Sequence, residues 1–371
     1  MLTVVTLMLA AVGVVAVALA VGDDGAGEVA GASPPDRDPE SEPEPDPSRP
    51  PSDEPDHLEE PEVSGDEAGE AEPTQSGETG DRGRLVIHHV GDVNLDHDHV
   101  PIFGQGGPEA AWDGARDTFV AADLVMANLE CAASAAGIPQ DKQFVFRCDL
   151  GSLPAMRAAG VDAVTLANNH SGDLGVPAMV DSVTNVEAAG MVAIGVGVDE
   201  QDAYRSRIVE VAGWRVALLG FGGVVPVAEW TARGDLPGQA TGYDPVRMAQ
   251  AVADARDGAD LVVASVHWGD EGALEPRPED VIKARALAEA GADVVFGHHA
   301  HRLQSVEQVD GAPVFWNLGN FVWPRLSAQG AATAVAEWIV EPDGHVSACL
   351  IPFEIDTHGV PAPTGAPRTC A

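Results

Sequence analysis

Short apolar runs recur from residue 84 onward, and most of them end in a polar cluster. Leu85-Val86-Ile87-His88-His89-Val90 reads as a strand, with Gly91-Asp92-Val93-Asn94 as the turn after it. Leu124-Val125-Met126-Ala127 ends in Asn128-Leu129-Glu130, and Ala163-Val164-Thr165-Leu166-Ala167 ends in Asn168-Asn169-His170. Leu261 to Val266 ends in His267-Trp268-Gly269, and Asp293-Val294-Val295-Phe296 runs into Gly297-His298-His299-Ala300-His301. Short unbroken apolar runs bounded by turn residues suit strands buried on both faces. Between them, 109–121, 176–189 (closed by Gly190), 247–257 and 280–290 have helical character. Residues 207–220 read as a hairpin turning at Gly213, and 313–355 as strand-rich, with a hairpin near Pro342-Asp343-Gly344. Strands alternating with helices predict an α/β domain over 84–356, followed by a tail, 357–371.

Before residue 84 the pattern changes. Met1 to Val21 is almost wholly apolar and long enough to span a bilayer. Ala18-Leu19-Ala20 resembles a small-residue signal-peptidase site. A signal peptide or membrane anchor over 1–21 is the expectation, with export to the cell envelope. From 22 to 83 acid and proline alternate, as in Glu42-Pro43-Glu44-Pro45-Asp46-Pro47, with almost no aromatic or branched apolar side chain. Such a stretch cannot offset its ordering entropy, and a disordered, extended linker is expected.

Charge narrows the partners. Asp and Glu number 59 against 20 Lys and Arg, a formal net charge of -39, which repels nucleic acid and anionic membrane surfaces. Cys131, Cys148, Cys349 and Cys370 include no Cys-x-x-Cys pair, which disfavours a thiolate zinc site. In an exported chain they would oxidise as two sequence-local pairs, Cys131–Cys148 and Cys349–Cys370, one of the three pairings that four cysteines allow.

The histidines carry the candidate chemistry. His299 and His301, two apart on an extended backbone, would share one face, and paired neutral imidazoles suit Zn, Mn or Fe. Five strands release Asp92, Glu130, Asn169-His170, His267 and His299/His301 at their C-terminal ends, the edge at which α/β sheets bind ligands.

This set resembles the CapA (poly-γ-glutamate capsule biosynthesis) branch of the calcineurin-like metallophosphatase superfamily. The resemblance covers about 85–322. It rests on Gly91-Asp92, Ala127-Asn128-Leu129-Glu130, Leu166-Ala167-Asn168-Asn169-His170, Val266-His267-Trp268-Gly269-Asp270-Glu271, Gly297-His298-His299-Ala300-His301 and Asn317-Leu318-Gly319-Asn320-Phe321. It implies a four-layer α-β-β-α sandwich with two divalent ions (Mn, Zn or Fe). Asp92 and His301 would hold the first ion, Asn169, His267 and His299 the second, and Glu130 would bridge them. His170 would help the leaving group as an acid or an electrostatic helper, and His298 would stand outside the ligand set. Asp173 and Glu271 would orient imidazoles. Two departures from the superfamily pattern stand out: Asn94 where many members have a histidine ligand, and Glu130 where they have aspartate. Asn94 would ligate only through its amide oxygen. The implied function is assistance in making or exporting an anionic polymer of the poly-γ-glutamate type. An exported metal-dependent phosphoesterase acting on a phosphate ester, and a non-catalytic scaffold for a membrane synthase, are the alternatives.

Overall fold

The computed structural model describes residues 82–371. The expected export segment, 1–21, and the acidic proline-rich stretch, 22–83 save its last two residues, lie outside the described residues.

Along the chain the strands are β1 (Leu85–Val93), β2 (Leu124–Leu129), β3 (Ala163–Thr165), β4 (Val192–Ile194), β5 (Val196–Gly197), β6 (Arg207–Val211), β7 (Trp214–Gly222) and β8 (Gly238–Gln239). There follow β9 (Leu261–His267), β10 (Val294–His298), β11 (Val306–Val309), β12 (Ala312–Phe315), β13 (Asn320–Val322), β14 (Ala332–Val340), β15 (Val346–Ile355), β16 (Pro361–Pro363) and β17 (Thr369–Cys370). The helices are α1 (Arg116–Phe119), α2 (Leu153–Ala158), α3 (Val176–Ala188), α4 (Glu200–Tyr204), α5 (Pro245–Arg256), α6 (Pro278–Glu289) and α7 (Ala328–Ala331).

One sheet has the order β16-β15-β14-β1-β2-β3-β4, with β13 also beside β1 and β17 beside β15. Within it β13, β1, β2, β3 and β4 run parallel. The second sheet has the order β11-β12-β10-β9-β7-β6, and β12, β10, β9 and β7 run parallel. Leu85, Ile87 and Met126 of the first sheet pack with Leu218, Val263 and Phe296 of the second in a core between the sheets. The outer face of the first sheet is covered by Phe119, Met156, Met179 and Val186 of α1 to α3. That of the second is covered by Met248 and Val252 of α5 and by Ala284 and Leu287 of α6. The result is the helix–sheet–sheet–helix sandwich that the motifs imply. Each fully buried Met or Val on these helices contributes about 1.5–3 kcal/mol, so the helices are held by their apolar faces.

Local signals set the element ends. α5 starts at Pro245, and the Asp244 side chain accepts from the Val246 N–H. The hairpin of β6 and β7 turns at Ala212-Gly213, and that of β14 and β15 closes with Glu341 N–H donating to the His345 carbonyl.

The helix expected over 109–121 does not form. A 3-10 turn at Ala110–Trp112 and the four-residue α1 take its place. A side chain at Gly114 would meet the Pro361 carbonyl at 2.2 Å, so this stretch is shaped by its close packing on β16 rather than by helical propensity. β16 and β17, within the stretch set apart as a tail, pair with β15.

Candidate metal centre

The parallel strands bring their C-terminal ends to one edge in register. Asp92 of β1 lies opposite Asn128 of β2 and Asn320 of β13, and His267 of β9 lies opposite His298 of β10. Glycines make this approach tight. A Cβ on Gly91 would stand 1.9 Å from the Gly319 carbonyl oxygen, and one on Gly297 would stand 2.0 Å from that of Trp316. Glycine at these two places lets β1 lie against the chain before β13, and lets β10 lie against the chain after β12.

His299 and His301 come together differently from the expectation. β10 ends at His298, and both later histidines have left-handed backbone, with φ of 91° and 53°. The shared face comes from a tight turn, not from an extended run; their ring centroids stand 6.1 Å apart. Non-glycine residues in this region cost of order 1–3 kcal/mol and cluster at functional sites.

Asp92, Glu130 and His267 are sealed from solvent, Asn169 and His299 nearly so, and His301 is partly exposed. Ligand atoms of Asp92, Glu130 and His301 all lie within 4.8 Å of one another, as do those of Glu130, His267 and His299. Glu130 belongs to both groups. Its Oε1 is 3.7 Å from His267 Nε2 and 3.8 Å from His301 Nε2. Asn169 joins the second group, with its Oδ1 2.9 Å from His267 Nε2.

Several polar atoms here lack partners. Asp92 Oδ2, Glu130 Oε1 and His299 Nδ1 are buried without a hydrogen bond. Unmatched buried polar atoms cost free energy unless something satisfies them. Burial, and then the facing Asp92 carboxylate, push Glu130 well above the usual carboxylate range. Burial also pushes Asp92 up, but contacts from His298 and His301 hold it well below its ordinary value. Burial and the neighbouring His301 bring His299 down to about 4, and burial with His299 depresses His267. Both rings are therefore neutral near pH 7, the form that binds metal. Two facing carboxylates, neutral imidazoles and unmatched acceptors fit a divalent cation pair.

The remaining residues divide by place. Asn94 is buried, but its amide oxygen accepts from the Asp96 N–H at 2.8 Å, and it is Nδ2 that lacks a partner. His170 Nδ1 donates to Asp173 Oδ2 at 2.7 Å, so Asp173 orients His170 and not a ligand imidazole. Burial lowers the His170 pKa. Glu271 is exposed and makes no hydrogen bond to an imidazole; it lines a cavity beside His170 and His301, and its charge acts on His299 and His301. His298, outside the expected ligand set, is buried with its Nδ1 3.4 Å from Asp92 Oδ1.

Four supporting residues escaped the sequence reading. Asn128 Nδ2 donates to Asp92 Oδ1 (2.8 Å) and Glu130 Oε2 (3.1 Å), tying the two carboxylates together. Asn320 Oδ1 accepts from His301 Nδ1 at 2.7 Å. Lys142 donates to the Asn169 carbonyl at 2.7 Å and pairs with Asp173, with its ammonium over the Trp230 ring. Asn128 and Asn320 lie inside quoted motifs and could have been found there; Lys142 comes from a loop and Trp230 from a 3-10 turn, Ala228–Trp230, neither with a motif. Cys131, next to Glu130, is bonded to Cys148, and Cys349 to Cys370. The first bridge joins the exit of β2 to the loop that carries Lys142, Phe144 and Phe146.

The bacterial capsule synthesis protein family PGA_cap matches residues 86–325. The capsule biosynthesis protein CapA of Bacillus anthracis is 28% identical over 292 residues, covering 76% of this chain and 69% of that one. The PGA biosynthesis protein CapA of Bacillus subtilis is 28% identical over 282 residues, covering 75% and 73%. A probable polyglutamine synthesis accessory protein of Mycobacterium tuberculosis is 34% identical over 214 residues, covering 54% of this chain and 56% of its own length.

Proposed function

We propose, for a chain that belongs to the bacterial capsule synthesis protein family PGA_cap, that it is an exported accessory of anionic polymer synthesis with a two-metal hydrolytic centre. The polymer is of the poly-γ-glutamate type; supporting this are the names of two relatives, a PGA biosynthesis protein of Bacillus subtilis and a probable polyglutamine synthesis accessory protein of Mycobacterium tuberculosis. A site in the cell envelope agrees with the apolar 1–21 segment. The observation that carries the metal reading is the pair of three-residue groups sharing Glu130.

Asp92, Glu130 and His301 would hold one ion, and Glu130, His267, His299 and Asn169 the other, Mn, Zn or Fe. Such a pair stabilises the attacking and departing oxygens of an ester and acidifies bound water. The protein's own groups do the rest. Asn128 keeps the two carboxylates at a fixed separation, and Asn320 sets the His301 ring. Asp173 fixes the His170 proton on Nδ1, which leaves Nε2 to exchange a proton with a departing group.

The test is metal content and turnover on the full chain. Two equivalents of Mn or Zn by elemental analysis, and metal-dependent cleavage of bis(p-nitrophenyl) phosphate lost in His267→Ala and His170→Ala, are expected. Two bound ions with no turnover on any phosphate ester would favour a scaffold for a membrane synthase instead. No retained metal after loading and dialysis would end the metal reading.

A further inference from the structure

A cavity of about 190 Å³ opens directly beside the candidate metal centre. Its polar lining is Asn94, His99, His170, Glu271 and His301. Its walls are apolar: Phe144, Phe146, Trp323 and Leu326. The walls form one aromatic lining over the histidines. Phe146 lies 4.3 Å from the His170 ring and 5.6 Å, edge-on, from Trp323, and Trp323 lies 4.7 Å from the His301 ring. Large apolar side chains also stand out at the mouth, Phe144 55% exposed and Leu326 82%.

This is a poor subsite for a carboxylate-rich polymer. Among the described residues lining the cavity none is lysine or arginine, and Glu271 adds negative charge at its edge. Anionic chains are recognised by cationic side chains, and the nearest lysine, Lys142, is already committed to Asp173. The volume points the same way. An apolar cavity of about 150 Å³ accommodates benzene, so this one takes a single ring-sized group.

Resting on the metal-centre reading above, we infer that the site takes a small phosphate ester bearing one ring-sized apolar group, and that the polymer itself does not enter it. The phosphoryl group lies toward Asp92, Glu130 and the histidines, and the apolar group lies between Phe146, Trp323 and the rim residues Phe144 and Leu326. The centre then serves a small-molecule step in the pathway.

The test compares phenylphosphonate with methylphosphonate by titration calorimetry on the full chain loaded with Mn, with metal content measured in parallel. Removing one ring from water predicts roughly 30-fold tighter binding of phenylphosphonate. Phe144→Ser and Leu326→Ser, both at exposed side chains, should each reduce that ratio, and together bring it below about five-fold. Oligo-γ-glutamate should not displace phenylphosphonate. Equal binding of the two phosphonates, a ratio untouched by both substitutions, or displacement by oligo-γ-glutamate would overturn the inference. Failure of the metal reading shows separately, as loss of methylphosphonate binding with no retained Mn. The cavity is then read on its own with benzyl alcohol, whose saturation-transfer signal on chelator-treated protein should be present and should vanish in the double variant; no signal would overturn the inference there too.

Discussion

Replacing Gly91 by alanine adds one methyl group where three backbone atoms already stand. The new Cβ would lie 1.9 Å from the Gly319 carbonyl oxygen, 2.9 Å from its carbon and 3.1 Å from the Leu318 carbonyl oxygen. Ordinary contact begins near 3.4 Å, so β1 and the 318–319 segment must separate by more than an ångström, and no flexible side chain can absorb the clash. The Asp92 N–H bond to the Gly319 carbonyl, at 2.9 Å, runs across the same gap. Overpacking costs about 1–3 kcal/mol and a lost hydrogen bond about 1 kcal/mol, so the expected loss is about 3 kcal/mol. For a domain of this size that lowers the melting temperature by about 6–12 °C. The movement also separates Asp92 from Asn320 and His301, so metal affinity should fall with stability. Gly104→Ala is the control: no atom lies within 4 Å of its Cβ and its backbone is unstrained, so it should melt within about 2 °C of the parent. Thermal unfolding followed by circular dichroism, with metal content by elemental analysis, measures both. A Gly91→Ala protein that melts with the control and keeps its metal would refute the packing argument.

Four further outcomes follow from the structure. Glu130→Gln should lower bound metal from two ions to at most one, because both ligand groups use that carboxylate. With chelator present the same variant should gain stability over the parent as pH rises: the folded carboxyl titrates above its unfolded value of 4.5, so the parent's penalty is absent below that value and grows above it; a constant difference in melting temperature between pH 4 and 8 would count against this. Glu337 has the opposite sign. Its bond from His88, with Arg368 adding charge, holds its pKa below 4.5, so its stabilising contribution is present above 4.5 and lost as pH falls through the folded value. Arg368→Met should cost up to about 1 kcal/mol at pH 7, Arg368 being half exposed, and progressively less as pH falls below 4.5, as read by urea denaturation across that range. Cys349→Ser with Cys370→Ser opens a loop closed over 21 residues and should cost about 3 kcal/mol in the same measurement, the parent under reductant behaving alike.

How much of this could be read from the chain depends on where each group takes its position. Asp92, Glu130, His267 and the His299/His301 pair were legible because each follows its own apolar strand, and parallel strands deliver their ends to one edge. The register that finishes the job was not legible. It depends on Gly91 and Gly297 meeting backbone from distant segments, and a glycine in a sequence does not say what approaches it. The turn that brings His299 and His301 together was misread for a related reason: a two-residue spacing suggests extended backbone, but positive φ at both residues replaces it. The supporting groups divide in the same way. Asn128 and Asn320 sit on strands of the site and share its local pattern, whereas Lys142 and Phe146 arrive on a loop bonded through Cys148 to Cys131, the residue after Glu130. That bridge has a consequence for the site. It fixes the aromatic wall and the Lys142–Asp173–His170 chain to the same backbone that presents Glu130, so the apolar wall and the metal ligands keep one geometry. Two acidic side chains facing each other in a sealed interior would otherwise favour loosening of this edge; the bridge and Asn128 oppose it, and bound cations would remove the repulsion itself.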